Sequence, residues 1–214
     1  MLREIGRRSG AAVLVACSLV LAACGSSDGA SSSSADVLSG VVREPAPVVD
    51  STPLPSLTEP GSDVVFRADP GEVQVVYFGF TNCPDVCPTT LADFTVALRK
   101  LEAETPGLSE RVETVMVTID PARDNAVLPQ YVTSFVSNAI AAGTDDEATL
   151  LAAAEPFGAS YEVRTLDDGT IEVDHSPFLY AVDDEGQLAL SWQFGASSDD
   201  MASDLEILLE RASA

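Results

Sequence analysis

Two cysteines four positions apart, Cys83 and Cys87, lie in the run Thr81-Asn82-Cys83-Pro84-Asp85-Val86-Cys87-Pro88-Thr89-Thr90, directly after the apolar run Val75-Val76-Tyr77-Phe78-Gly79-Phe80. This order predicts a buried strand that turns into a helix at the cysteines. Residues i and i+4 share one face of a helical turn, so both sulfurs can reach one metal ion or each other. The positive end of a helix dipole also favours the thiolate, the form that binds soft metals and attacks disulfides. The spacing therefore admits a metal site or a redox couple and does not choose between them.

A single histidine narrows the metal chemistry. It is His175, in Val173-Asp174-His175-Ser176-Pro177-Phe178. Blue-copper and dinuclear copper centres each need two histidines and are excluded, as are metallohydrolases with two or three imidazole ligands. Two thiolates and one imidazole remain. That donor set suits Cu(I) at low coordination number, and with a fourth ligand it can hold Cu(II) or zinc. Spacing alone does not bring residue 175 to residue 83, and a surface or core histidine is the competing reading.

The elements that must position these groups follow an α/β order. Residues 73–80 are almost wholly apolar, as expected of a strand covered on both faces of a parallel sheet. Leu91, Phe94, Leu98 and Leu101 recur at helical spacing, with Pro88 tolerated in the first turn. Residues 112–119 return as a strand, completing a βαβ unit with a right-handed crossover. Residues 128–136 and 145–157 read as helices, the latter capped by Thr144 or Asp145. Residues 160–165, 178–182 and 187–194 read as strands, with Asp167-Asp168-Gly169 a turn between the first two. Met201, Leu205 and Leu208 line a closing helix. This is the order of a thioredoxin-like fold, a central mixed sheet flanked by helices.

The N-terminus gives an address. Arg3, Arg7 and Arg8 precede an apolar run over residues 11–23, which has the length of a signal-peptide core and is too short to span a bilayer. The run ends in Leu21-Ala22-Ala23-Cys24, which resembles the bacterial lipobox; the resemblance implies cleavage before Cys24 and lipidation of that residue. Residues 1–23 are thus expected to be a lipoprotein signal peptide. Residues 24–46, rich in Ser and Gly, are expected to form a flexible tether, and residues 47–214 the folded domain. Pro45, Pro47, Pro53, Pro55 and Pro60 predict an extended segment lying over the edge of the fold. Without residues 1–23 the chain carries 8 basic and 33 acidic residues, and Lys100 is its only lysine. Such a surface repels nucleic acid and anionic headgroups, which argues against both as ligands. Of four cysteines, Cys17 leaves with the signal and Cys24 is expected to carry lipid. Cys83 and Cys87 then remain, too few and too close for a disulfide-stapled fold.

Three blocks of sequence resemble the Sco/SenC family. They are Phe78-Gly79-Phe80-Thr81 leading through Cys83-Pro84-Asp85-Val86-Cys87-Pro88; Val117-Thr118-Ile119-Asp120-Pro121-Ala122-Arg123-Asp124; and Val173-Asp174-His175-Ser176 followed by Tyr180 and Asp184-Glu185-Gly186. The similarity extends over about residues 47–212. It implies a thioredoxin-like fold and a copper site whose ligands are Cys83, Cys87 and His175, with Asp174 orienting or tuning the imidazole. Asn82 stands where the family commonly has an aromatic residue or histidine, and Asn125-Ala126 replaces the usual Thr-Pro; neither departure removes a ligand. Asp85, between the cysteines, reads as a solvated loop charge.

The resemblance implies a lipid-anchored copper metallochaperone on the extracytoplasmic face of the cell membrane. Its recipient would be cytochrome c oxidase subunit II or another copper-accepting protein. The alternative is a thiol–disulfide oxidoreductase in which Cys83 attacks, Cys87 resolves and the pair cycles through a Cys83–Cys87 disulfide. Three residues between the cysteines, where thioredoxin has two, and the retained histidine favour metal. A peroxiredoxin-type peroxidase is disfavoured because Pro84 stands where its threonine would be.

Overall fold

Val73–Gly79 (β3) forms the middle of the molecule because every one of its residues is buried. The computed structural model describes residues 37–213. The elements before β3 are the two-residue strands Leu54–Pro55 (β1) and Asp63–Val64 (β2). After it come Val86–Glu104 (α1), Val112–Thr118 (β4), Pro121–Asp124 (α2), Leu128–Thr133 (α3), Ile140–Ala142 (β5) and Glu147–Ala154 (α4). The chain closes with Tyr161–Thr165 (β6), Ile171–His175 (β7), Phe178–Val182 (β8), Leu188–Gln193 (β9) and Ser198–Ala212 (α5).

The main sheet has the order β5-β4-β3-β8-β9. β3, β4 and β5 run parallel, while β8 and β9 are antiparallel additions. The expected βαβ unit is β3-α1-β4, and the mixed thioredoxin-like architecture is as anticipated. Alternation along β3 sends successive side chains to opposite faces. Phe78 meets Phe66, Phe157 and Tyr180 in a cluster of ring contacts with centroids 5.2–6.4 Å apart. Tyr77 takes the other face, toward α1, whose inward residues are Cys87, Thr90, Leu91, Phe94, Ala97 and Leu101. α5 packs against α1 through an apolar stripe that includes Met201, Leu205 and Leu208. Full burial of side chains of this size contributes about 1.5–3 kcal/mol each.

Four boundaries differ from expectation. Residues 166–170 turn the chain into β7, which pairs with β6 as a separate two-stranded hairpin, so the expected direct step from residue 165 to residue 178 contains an extra strand. The α4 cap is Asp146, whose carboxylate accepts from Ala148 N at 3.1 Å, in place of Thr144 or Asp145. The helix expected at 128–136 is the short α3, preceded by α2. The tether expected to reach residue 46 ends sooner. Ser39 N and Gly40 N donate to the buried Asp204 carboxylate at 2.7 and 2.8 Å, and Val41 and Ser191 exchange backbone hydrogen bonds. Val41 bridges Ser191 beside β9, and Ser56 bridges Ala142 on β5, so the proline-rich segment runs from one sheet edge to the other. Three aligned donors, Trp192 Nε1 among them, make Asp204 an anchor that composition could not reveal. Cys17, Cys24 and the expected signal peptide lie outside the described residues.

Candidate metal centre

Cys87 sits in the first turn of α1 and is fully buried; Cys83 lies before the helix and is half-buried. The helix begins at Val86, so the two cysteines do not share one helical turn as the spacing suggested. They still meet. Asp85 at the helix start makes no side-chain cap, and Cys87 N donates instead to Cys83 Sγ at 3.2 Å. One free amide of the helix end is thereby aimed at sulfur. Both cysteines are free thiols.

His175 arrives from β7. The hairpin is tied back at its base, where Ser176 N donates to Ser160 O and Ser160 N donates to Ser176 Oγ, both at 2.8 Å. His175 Nε2 lies 3.6 Å from Cys87 Sγ, and Nδ1 lies 3.2 Å from the Ser176 carbonyl. A carbonyl can only accept, so the ring proton belongs on Nδ1 and the Nε2 lone pair is left facing sulfur. Phe80 and Tyr77 cross the imidazole edge-on at 5.7 and 6.1 Å. One donor atom from each of Cys83, Cys87 and His175 lies within 4.8 Å of the other two, the one such cluster among the described residues. Two sulfurs and one nitrogen at this separation fit a single soft ion bound at low coordination number.

Burial governs the protonation states. It pushes the Cys87 thiol up to about 12, against the opposing effects of the Tyr77 hydroxyl and the Phe80 backbone. It holds His175 below the usual imidazole range, so the ring is a neutral ligand. The Tyr77 phenol is also raised by burial.

Two surrounding residues fix this geometry, and sequence reasoning assigned neither a role. Asp124 is completely buried and accepts hydrogen bonds from Thr81 N, Thr81 Oγ1 and Thr118 Oγ1 at 2.9, 2.6 and 2.9 Å. It clamps the loop leaving β3 to the end of β4. Gly79 makes room: a Cβ there would lie 2.7 Å from Tyr77 Cε1 and 3.2 Å from Cys87 Sγ. Both residues stand inside motif blocks, which was the available signal. Asp174, expected to orient or tune the imidazole, acts on it through its charge and not through a hydrogen bond. Its carboxylate is exposed and accepts from Arg164 at 2.7 Å, on the opposite side of the strand from the imidazole. The Ser176 carbonyl holds the ring in its place, and Asp174 acts on His175 only as a nearby charge. Asp85 and Asn82 are exposed.

A family model described as SCO1/SenC matches residues 57–210. The chain belongs to the SCO1/SenC family. A Stutzerimonas stutzeri protein described as a putative copper-binding protein is 32% identical over 118 residues, covering 55% of this chain and 56% of that protein. The chain thus spans about half the length of the curated relatives it matches. Among solved structures, apo Sco1 from Thermus thermophilus is 28% identical with a TM-score of 0.58, covering 85% of this chain and all of that one. Arabidopsis thaliana ScoI, solved with copper bound, is 25% identical with a TM-score of 0.62, covering 74% and 95%. The SCO1/SenC match contains all three clustered residues, and its thioredoxin-like architecture is the one described above. No helix among the described residues is long and apolar enough to cross a membrane.

Proposed function

We propose that this Sco protein is a copper metallochaperone, held by lipid at Cys24 on the extracytoplasmic face of the cell membrane, which carries copper on Cys83, Cys87 and His175. Its recipient in this reading is the dinuclear copper site of cytochrome c oxidase subunit II. The observation that carries the reading is the convergence of two sulfurs and a neutral imidazole within 4.8 Å at a partly open position. Copper-bound structure in a family relative supports the same cargo.

The residues suit a carrier. His175 presents Nε2 without first losing a proton. Cys87 must release its proton on binding, so copper uptake is coupled to proton release. Cys83, the half-buried ligand, is the one a recipient's thiol can reach, which makes it the natural point of ligand exchange. The strongly acidic surface attracts cations and a basic patch on a partner.

The deciding experiment is anaerobic Cu(I) titration of the purified protein, followed by X-ray absorption. One equivalent bound by two sulfurs and one nitrogen is expected, with loss of the nitrogen in His175→Ala. Oxidase assembly should fail in both His175→Ala and Cys83→Ser. Full assembly by His175→Ala together with failure of Cys83→Ser would overturn the copper reading in favour of thiol–disulfide exchange. The anchor is tested separately. Mass spectrometry of membrane-extracted protein is expected to show a lipid-modified Cys24, and Cys24→Ala to release the protein from membranes; an unmodified Cys24 would refute the anchor alone.

A further inference from the structure

Tyr77 stands behind the donor set. Its side chain is fully buried on β3, and its hydroxyl has no hydrogen-bond partner. Buried hydroxyls are as a rule bonded, so an orphan marks a place where a partner is missing or changes state. This one faces Cys87 and Thr90 of α1. Thr90 gives its own proton to the Val86 carbonyl at 2.8 Å and can offer the phenol only lone pairs. The tyrosine ring also lies 6.1 Å from the imidazole of His175, inclined at 75°. At Gly79 the position of a missing Cβ is 2.7 Å from the ring and 3.2 Å from Cys87 Sγ, so ring edge and sulfur share one small space. Tyr77 therefore borders two of the three donor residues without being a ligand.

We propose that Tyr77 is a positioning residue of the metal site, its phenolic O–H donating to the Cys87 sulfur when that sulfur is a metal-bound thiolate and biasing the site toward Cu(I) over Cu(II). The inference rests on the copper reading above. A thiol is a weak acceptor, so the contact is poorly formed in the metal-free protein, whereas a thiolate accepts strongly. A hydrogen bond to a ligating sulfur withdraws electron density from it. The weaker donor disfavours the higher oxidation state, and such contacts are a known means of setting copper and iron–sulfur potentials.

The test compares the detergent-solubilised full chain with its Tyr77→Phe variant. The readouts are the sulfur-to-copper charge-transfer band of the Cu(II) form and the Cu(II)/Cu(I) potential. Loss of the donor is expected to move the band to lower energy and to raise the preference for Cu(II) roughly tenfold. The ligand count should stay the same. Thr90→Val removes the competing acceptor and is expected to leave the band in place. A band and potential that ignore Tyr77→Phe in a protein that binds copper normally would overturn this role alone. So would a band that follows Thr90→Val instead. A parent protein that takes up no copper on the three residues overturns the copper reading and this one with it.

Discussion

Thr81 and Asp124, 43 positions apart, are joined by two hydrogen bonds, from the Thr81 backbone N–H at 2.9 Å and from its Oγ1 at 2.6 Å. A third bond to the same carboxylate comes from Thr118 at the end of β4. The cysteine loop thus leaves the sheet under restraint from a buried carboxyl group whose oxygens accept from neutral donors. A loop positioned this way presents sulfur ligands in one geometry instead of many.

Asp124→Ala strands three donors and should cost about 2–4 kcal/mol of stability, read from urea unfolding of the metal-free protein. Copper affinity, measured by competition with a Cu(I) chelator, should fall about 10- to 100-fold with the ligand set unchanged. Parent-like affinity would show that the cysteine loop keeps its shape without this clamp.

Gly79→Ala tests packing behind the sulfurs. Its backbone conformation is ordinary strand, so the penalty is steric: the new methyl meets the Tyr77 ring, then the Met116 methyl and the Cys87 sulfur. About 1–3 kcal/mol of destabilisation is expected, together with weaker Cu(I) binding. Thermal melts and the same chelator competition check both effects.

The two thiols should react unequally. Cys83 is half-buried, whereas Cys87 is enclosed and pushed up to about 12. Iodoacetamide at mildly alkaline pH should alkylate Cys83 first, as peptide mass spectrometry would show. Below pH 12 the thiolate fraction of Cys87, and with it the modification rate, should rise about tenfold per pH unit. Copper affinity should climb with pH for the same reason, since binding expels that proton.

Glu113 supplies a pH test remote from the cysteines. Burial raises its carboxyl above the usual range, and the charges of Asp69 and Glu72 act in the same direction; a 2.5 Å hydrogen bond from Gln74 opposes them. The folded state therefore binds the proton more tightly than the unfolded chain does. The stability contribution is complete below the ordinary carboxylate range and is lost as pH rises through the raised value. Glu113→Gln should melt higher than the parent at neutral pH, with the gap closing on acidification. A gap that widens in acid would contradict this assignment.

Legibility followed how local each feature is. The apolar β3 run and the helical spacing of Leu91, Phe94 and Leu101 came through because each depends on neighbours within a turn or a strand. Strand β6 came through at residues 160–165, but its partner β7 did not. β7, with exposed Ile171 among charged residues, has no buried face long enough to signal a period. The attachment of residues 39–41 was likewise invisible, since it depends on Asp204 and Ser191 more than 140 positions away.

By itself the sequence determined the donor chemistry. Two cysteines at close spacing and one histidine limit any metal site to two sulfurs and one imidazole, and side-chain identity alone imposes that limit. Only the tertiary structure decided that His175 crosses 88 positions to reach Cys87. It also decided which neighbour holds the ring. Successive side chains on a strand point to opposite faces, so Asp174 turns to Arg164 and leaves the imidazole to a backbone carbonyl.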